Sequence, residues 1–290
     1  MEYEEFEANS FDKNDVSNWL ISLRQAGFDP ELAGESSYRE LTLKERDYLD
    51  KDLQFLDMMP VKVIMDKDGE YPEQFSTFLG KRSKPKVLFC MGDASLFHQP
   101  SIMVCGARNA SLTAIELSFK CGRLIAETGY TLISGYARGV DIAAHLGALE
   151  GGGSTIAMLP YGLSRFRISR HLSNVFDPDF FLAVSELPPT CGFMVKAAFR
   201  RNKLLVAFAD AVIVIEPGES GGTWHSVKET KKMHKLLFFI EGKRPNIIPH
   251  MESIGGKLLK ISNGVPQLGE VYKKIQKVKQ VKQSLKGIIE

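Results

Sequence analysis

Leu132 to Glu150, LISGYARGVDIAAHLGALE, constrains this chain more than any other stretch. It opens apolar and β-prone, passes through Ser134-Gly135-Tyr136-Ala137-Arg138-Gly139, and continues as an alanine-rich helix. A strand, a glycine turn and a helix N-terminus thus follow one another directly. Such a turn bares backbone N–H groups at the positive end of a helix, which suits an anion. Arg138 adds a planar, permanently charged fork in the same turn. The stretch reads as a phosphate-binding corner.

The surrounding chain has a matching rhythm. Apolar runs at Ile102–Cys105, Thr131–Ile133, Thr155–Leu159, Phe181–Ser185, Ala211–Ile215 and Leu236–Ile240 read as short strands. Helical patterns at about 111–128, up to Glu150, at 198–208 and at 223–233 fall between them. This alternation predicts an α/β fold with a doubly wound, mostly parallel sheet, an extended Rossmann-like architecture. In such sheets ligands bind outside the carboxyl ends of the strands. Gly106, Arg108, Ser134, Gly135, Arg138, Gly139, Gly162, Ser220, Gly221 and Thr223 all follow strands and are expected along that edge.

Three segments are expected: an acidic helical N-terminal module over 1–60, the Rossmann-like core over 61–248, and a basic tail over 249–290. Val16, Trp19, Leu20 and Leu23 form one apolar face of a first helix. Thr42 and Glu45 form a capping box for a second, with a stripe at Leu49, Leu53 and Leu56. Docking of a partner and a structural cap are both open roles for this module. Val61–Met65 and Lys86–Met91 read as strands of a connector, with a turn and short helix from Tyr71-Pro72. Residues 1–60 carry 15 acids and 6 bases, a balance of −9, while the whole chain is at +2, so the rest carries +11. That basic body is compatible with a polyanion, although solvation alone also explains it. In the tail, Leu268, Val271, Ile275 and Val278 make an apolar stripe on a lysine-rich helix that packs on the body, self-associates or touches nucleic acid.

No apolar run reaches the ~18 residues that span a bilayer, and the acidic N-terminus MEYEEFEANS is no signal peptide. A cytoplasmic, membrane-free protein is expected. Cys90, Cys105, Cys121 and Cys191 are scattered and read as free buried thiols. No GxxxxGK[ST] loop, full GxGxxG or metal triad is present, so no cofactor is expected.

Several constellations carry both a chemical and a bland reading. Gly106-Ala107-Arg108 is a phosphate contact or an ordinary turn with a solvated arginine. Asp141 caps its helix or holds Arg138, and His145 is a structural histidine. Phe199-Arg200-Arg201-Asn202-Lys203 opens a helix with three bases and an amide after an aromatic, Lys196 lying just upstream. The bases take phosphates and Phe199 stacks on a nucleobase, or the ring is core and the charges are solvated. Glu219-Ser220-Gly221-Gly222-Thr223 is a second anion nest. Arg165-Phe166-Arg167-Ile168-Ser169-Arg170-His171 tracks phosphates or is an exposed loop.

On these residues the chain resembles the DprA/Smf family of DNA-processing proteins. SGYARGVDIAAHLGAL is similar to the family's SGLARGID-AAH signature. Tyr71-Pro72, Pro85–Phe89, Gly92, Cys105–Arg108, Glu186-Leu187-Pro188-Pro189, Phe199–Lys203 and Ser220-Gly221 fit further family motifs, in order, from about 61 to 242. The resemblance implies a non-catalytic protein that binds single-stranded DNA, protects incoming DNA in natural transformation, helps load a RecA-type recombinase, and works as a homodimer. It places Gly106, Arg108, Ser134, Gly135, Arg138, Gly139, Arg201, Asn202 and Lys203 on the DNA. Two departures stand out: Ala107 replaces a small hydroxyl residue, and Tyr136 replaces the usual leucine. A related group, the LOG-type phosphoribohydrolases, has a PGGxGTxxE motif echoed by Pro217-Gly218 and Gly222-Thr223. The position of its glutamate is Ser226 here, and the nearest acid is Glu229, which leaves a nucleotide sensor or hydrolase as the alternative.

Overall fold

The computed structural model describes residues 12–29, 32–33, 40–217, 221–242 and 247–289. In chain order the main elements are α1 (Lys13–Gln25), α2 (Leu43–Met58), β1 (Lys62–Met65), α3 (Glu73–Phe78), β2 (Val87–Gly92), β3 (Ser101–Gly106), α4 (Leu112–Glu127), β4 (Thr131–Ser134) and α5 (Val140–Glu150). They continue with β5 (Thr155–Met158), β6 (Phe181–Ser185), α6 (Val195–Phe208), β7 (Ala211–Ile215), α7 (Gly221–Lys232) and β8 (Leu236–Ile240). The chain ends with α8 (Ile248–Ser253), β9 (Lys257–Leu258), the β10 (Ile261–Ser262) and β11 (Val265–Pro266) hairpin, and α9 (Gly269–Ile289). The fold is the mostly parallel, Rossmann-like α/β architecture expected from the alternation. The expected strands at 181–185, 211–215 and 236–240 match residue for residue, whereas α6 starts three residues before the expected 198.

The chain divides into two compact units. One holds residues 1–98, 156–168 and 177–201; the other holds 99–155, 169–176 and 202–290.

In the first unit the strands run in the order β1-β2-β6-β5, with β1 and β6 antiparallel to β2. Helices α1 and α2 belong to this unit. Asp12 caps α1 through the N–H groups of Asn14 and Asp15, and Thr42 with Glu45 forms the expected capping box on α2. Val16, Leu20 and Leu23 are buried as the stripe predicts. On α2, Leu56 is buried, but Leu49 and Leu53 are only half-buried, while Asp52 is fully buried. Its carboxylate is held by the Arg24 guanidinium and accepts from both the N–H and the hydroxyl of Thr190, each at 2.7 Å. A charge buried among apolar groups persists only when paired and hydrogen-bonded. Asp52→Ala would leave Arg24 buried without its counter-ion and is expected to cost about 3–5 kcal/mol, whereas Thr190→Val removes only hydrogen bonds and should cost about 1–3. Denaturant unfolding of the two variants checks the order.

In the second unit the order is β4-β3-β7-β8-β9, and each neighbouring pair is parallel. The register levels Gly106 with Ile215 and Ile215 with Ile240, so β3, β7 and β8 end together. Ile102, Val104, Leu132, Ile213, Ile215 and Phe238 from the strands pack with Leu117, Cys121 and Ile125 of α4 and Val140 and Ala144 of α5. Leu268, Val271 and Ile275 bring the start of the basic tail into the same core. The tail stripe therefore packs through Ile275, while Val278 and Val281 stay exposed. All four cysteines are free and buried, and burial pushes the Cys121 thiol up to about 12. Among the described residues no helix is long and apolar enough to cross a membrane.

Lys235 closes the corner between α6 and β7. Its Nζ donates to the carbonyls of Ala207 at 2.9 Å and Ala209 at 2.7 Å. Burial pulls its pKa down to about 7, with Asp210 opposing. The unfolded chain therefore keeps a proton that the native state sheds between about pH 7 and 10, and stability from this group rises with pH across that window. The expected slope reaches about 1.4 kcal/mol per pH unit. Subtracting the unfolding curves of Lys235→Met from those of the parent protein, between pH 7 and 9.5, isolates it.

Candidate functional site

The carboxyl ends of β3 and β4 in the second unit carry two neighbouring turns, Gly106–Arg108 and Ser134–Gly139. Their placement follows from backbone packing. A Cβ on Gly106 would lie 2.2 Å from the Ile215 carbonyl and 2.7 Å from Val140 Cγ2. Gly139 has φ 83° and ψ −126°, a conformation closed to side chains that carry a Cβ. A Cβ there would come 2.5 Å from the Ala107 oxygen and 2.6 Å from the Arg108 oxygen. Val140 N–H donates to Ala107 O at 3.3 Å, which ties the turns together. The Gly106–Arg108 and Ser134–Gly139 turns are therefore one packed body.

This packing alters the donor inventory expected from sequence. The N–H of Val140 is spent on Ala107, and the N–H of Ile142 on Ala137 O. The Ala137 N–H donates to Asp141 Oδ2 at 3.2 Å. Asp141 is buried in the first turn of α5, so the helix already has a carboxylate at its positive end. The turn is thus not a bare nest of N–H groups; what it presents is side-chain charge. Arg108 and Arg138 are both exposed, and neither guanidinium has a hydrogen-bond or ion-pair partner among the described residues.

The remaining expected residues of this unit divide by role. Ser134 is fully buried and donates its hydroxyl to Val104 O at 2.6 Å, so it braces the strand end. Gly135 is buried beside it. Thr223 Oγ1 donates to Gly106 O at 2.9 Å, and Asn202 Nδ2 donates to Gly222 O at 3.0 Å. These two side chains fasten the start of α7 to the end of β3 and to α6. Lys203 is half-buried on α6. Gly221 has φ 85° with open space where a Cβ would point. Ser220 and Glu219 lie outside the described residues. His145 is structural: its Nδ1 sits 2.6 Å from Thr155 Oγ1, whose proton goes to Leu132 O, so Nδ1 is the donor.

Sequence reasoning missed Glu216, which has φ 51° and whose Oε2 accepts from the Ser111 N–H at 2.8 Å. A glutamate followed by Pro217 at a strand end is the only trace of it in the chain.

In the first unit, Lys196 is exposed and pairs with Asp29 at 2.5 Å. Arg200 makes a two-pronged contact with Glu186, its Nη2 donating at 2.9 Å. That pair joins the Glu186–Pro189 turn to α6. Arg201 is buried and its Nη1 donates to Met158 O at 2.7 Å. Phe199 is 38% exposed. Phe28, Asp29, Glu186, Leu187, Met194, Lys196, Ala197 and Arg200 line a cavity of about 220 Å³.

The two glycines of the second unit differ in a testable way. Gly139→Ala meets both a forbidden φ and two carbonyls, and should cost about 3 kcal/mol or more, while Gly221→Ala meets only the φ penalty, about 1–2 kcal/mol. Thermal unfolding ranks them, and equal losses would contradict the packing described.

A family model described as DNA recombination-mediator protein A matches residues 62–264, well over half of the chain. The DNA processing protein DprA of Streptococcus pneumoniae is 29% identical over 160 residues, 54% of this chain and 56% of that protein. Protein Smf of Escherichia coli is 29% identical over 187 residues, 62% of this chain and 48% of that protein. The chain thus spans about half the length of the curated relatives it matches. The X-ray structure of the S. pneumoniae protein superposes with a TM-score of 0.65 at 22% identity, covering 89% of this chain and 94% of that one. A structure of DNA processing protein A from Helicobacter pylori, reported for its single-stranded DNA binding mode, gives 0.60 at 21%, covering 77% and 97%. With its glycine turns, its strand order and this match in hand, the chain belongs to the DNA recombination-mediator protein A family.

Proposed function

We propose that this protein binds single-stranded DNA without catalysing a reaction on it, protects incoming DNA, and assists the loading of a RecA-type recombinase as a homodimer. The observation that carries the DNA reading is the pair of exposed guanidiniums, Arg108 and Arg138, on two turns locked together by Gly106 and Gly139, with no acidic partner among the described residues. A permanently charged planar fork is the side chain best suited to phosphate. Its neighbours Ser134, Asn202 and Thr223 spend their polar groups on backbone, which rigidifies the platform. Lys203, half-buried on α6 in the same unit, supplies further charge. The H. pylori relative's reported single-stranded DNA binding supports the same ligand. Protection of DNA, recombinase loading and dimerisation rest on the family alone.

The absence of catalysis has its own support. Ser134 and His145, the residues most like a nucleophile and base, are buried in unrelated hydrogen bonds. Ser226 stands at the position of the LOG-type glutamate and donates to Gly222 O at 3.3 Å. Glu229, the nearest acid, is buried and paired with Lys232 at 2.6 Å.

Fluorescence anisotropy with an oligothymidylate and a duplex of the same length, across salt, tests this reading. Affinity for the single strand should fall with a log–log slope of about −0.7 per phosphate engaged. Arg138→Ala should weaken binding to all sequences alike and flatten the slope by about 0.7, since a phosphate contact carries no sequence information. Affinity independent of salt would exclude the reading.

A further inference from the structure

Tyr136 occupies the turn between Gly135 and Arg138 in the left-handed region, φ 58°, where a bulky residue is strained. Two contacts hold it there. Its ring meets His145 edge-on, with centroids 5.4 Å apart, and its hydroxyl oxygen accepts the Ser169 N–H at 2.8 Å. His145 is itself buried and tied to Thr155, so the phenol has a fixed base. Residues 169–176 belong to the same unit as Tyr136.

The segment so held is a compact turn. Leu172 N–H donates to Ser169 O at 2.8 Å, and Ser173 Oγ donates to Arg170 O at 2.9 Å. Leu172 is fully buried and roots the turn, while Arg170 and His171 are exposed. The Arg170 guanidinium has no hydrogen-bond or ion-pair partner among the described residues. A third unpaired arginine is thereby fastened, through one phenol, to the turn that carries Arg138. Leucine at position 136 would offer no acceptor for Ser169.

We propose that Arg170 is a further phosphate contact of this site, and that Tyr136 is the positioning residue that latches the 169–173 turn in place for it. The proposal rests on the single-stranded DNA reading above and names a contact that turn motifs alone do not supply. The hydroxyl explains why a strained tyrosine stands in the turn: its hydrogen bond fixes the backbone that projects Arg170. An exposed arginine on an unlatched loop would lose more conformational freedom on binding and contribute less.

Oligothymidylate anisotropy across salt, on the full chain, tests it with Arg170→Ala, Arg170→Lys, Tyr136→Phe and the Tyr136→Phe/Arg170→Ala double variant. Arg170→Ala should bind about tenfold more weakly at low salt and lose about 0.7 of slope, and Arg170→Lys should keep the slope. Tyr136→Phe should lose part of the affinity and the hydrogen-exchange protection of the Ser169 amide. The double variant should bind no more weakly than Arg170→Ala, because the latch acts through Arg170. An unchanged slope in Arg170→Ala, or additive losses in the double variant, would overturn the inference while the parent's salt-dependent binding keeps the DNA reading intact. A parent protein that does not bind the strand would sink both.

Discussion

The close approach of Gly139 to the carbonyls of Ala107 and Arg108 is the contact on which the site depends. It needs a backbone without a Cβ in a conformation that only glycine adopts readily, and it leaves no slack between two turns from different strands. Gly106 does the same on the other side, against Ile215 and Val140. Arg108 and Arg138 inherit their proximity from that packing rather than from any contact of their own. Polar side chains that look like ligands in the sequence turn inward to hold the frame: Ser134 to Val104, Thr223 to Gly106, Asn202 to Gly222. What remains exposed there is the positive charge of Arg108 and Arg138, neither guanidinium paired among the described residues, above the buried Asp141 carboxylate.

Much of this was legible in the residues. Strands such as Ala211–Ile215 are short, wholly apolar, β-branched runs bounded by turn residues, a length and composition that favour a buried strand over a helix. The strand–turn–helix at Leu132–Glu150 was equally plain, because glycine and arginine at such a junction have few other uses. The start of α6 was less plain, since Val195-Lys196-Ala197 carries no apolar periodicity and Val195 and Lys196 are exposed. Side-chain direction was not legible. Arg200 and Arg201 are adjacent and chemically identical, yet one pairs with Glu186 and the other is buried on the Met158 carbonyl. Only the three-dimensional course of β5 and β6 decides between them.

Contacts distant in sequence account for the other gaps. Asp52 reads as one more acid on an acidic helix until Arg24 and Thr190, the latter 138 residues away, close around it. Tyr136 reads as a substitution for leucine until Ser169 reaches its hydroxyl. Asp141 reads as a cap of its helix or as a holder of Arg138; the N-cap position is instead Gly139, with no side-chain cap, and Asp141 accepts the Ala137 N–H, which sets a buried carboxylate at the positive end of the helix.

In the proposed function Arg108 and Arg138 act as one charged platform for a nucleic-acid strand. Arginine Nε–H resonances, assigned by removing each guanidinium in turn and followed while oligothymidylate is added, test it most directly. Both signals are expected to shift with the same midpoint, and this midpoint to move to higher oligonucleotide concentration as salt rises. Binding that leaves both signals unmoved would contradict it.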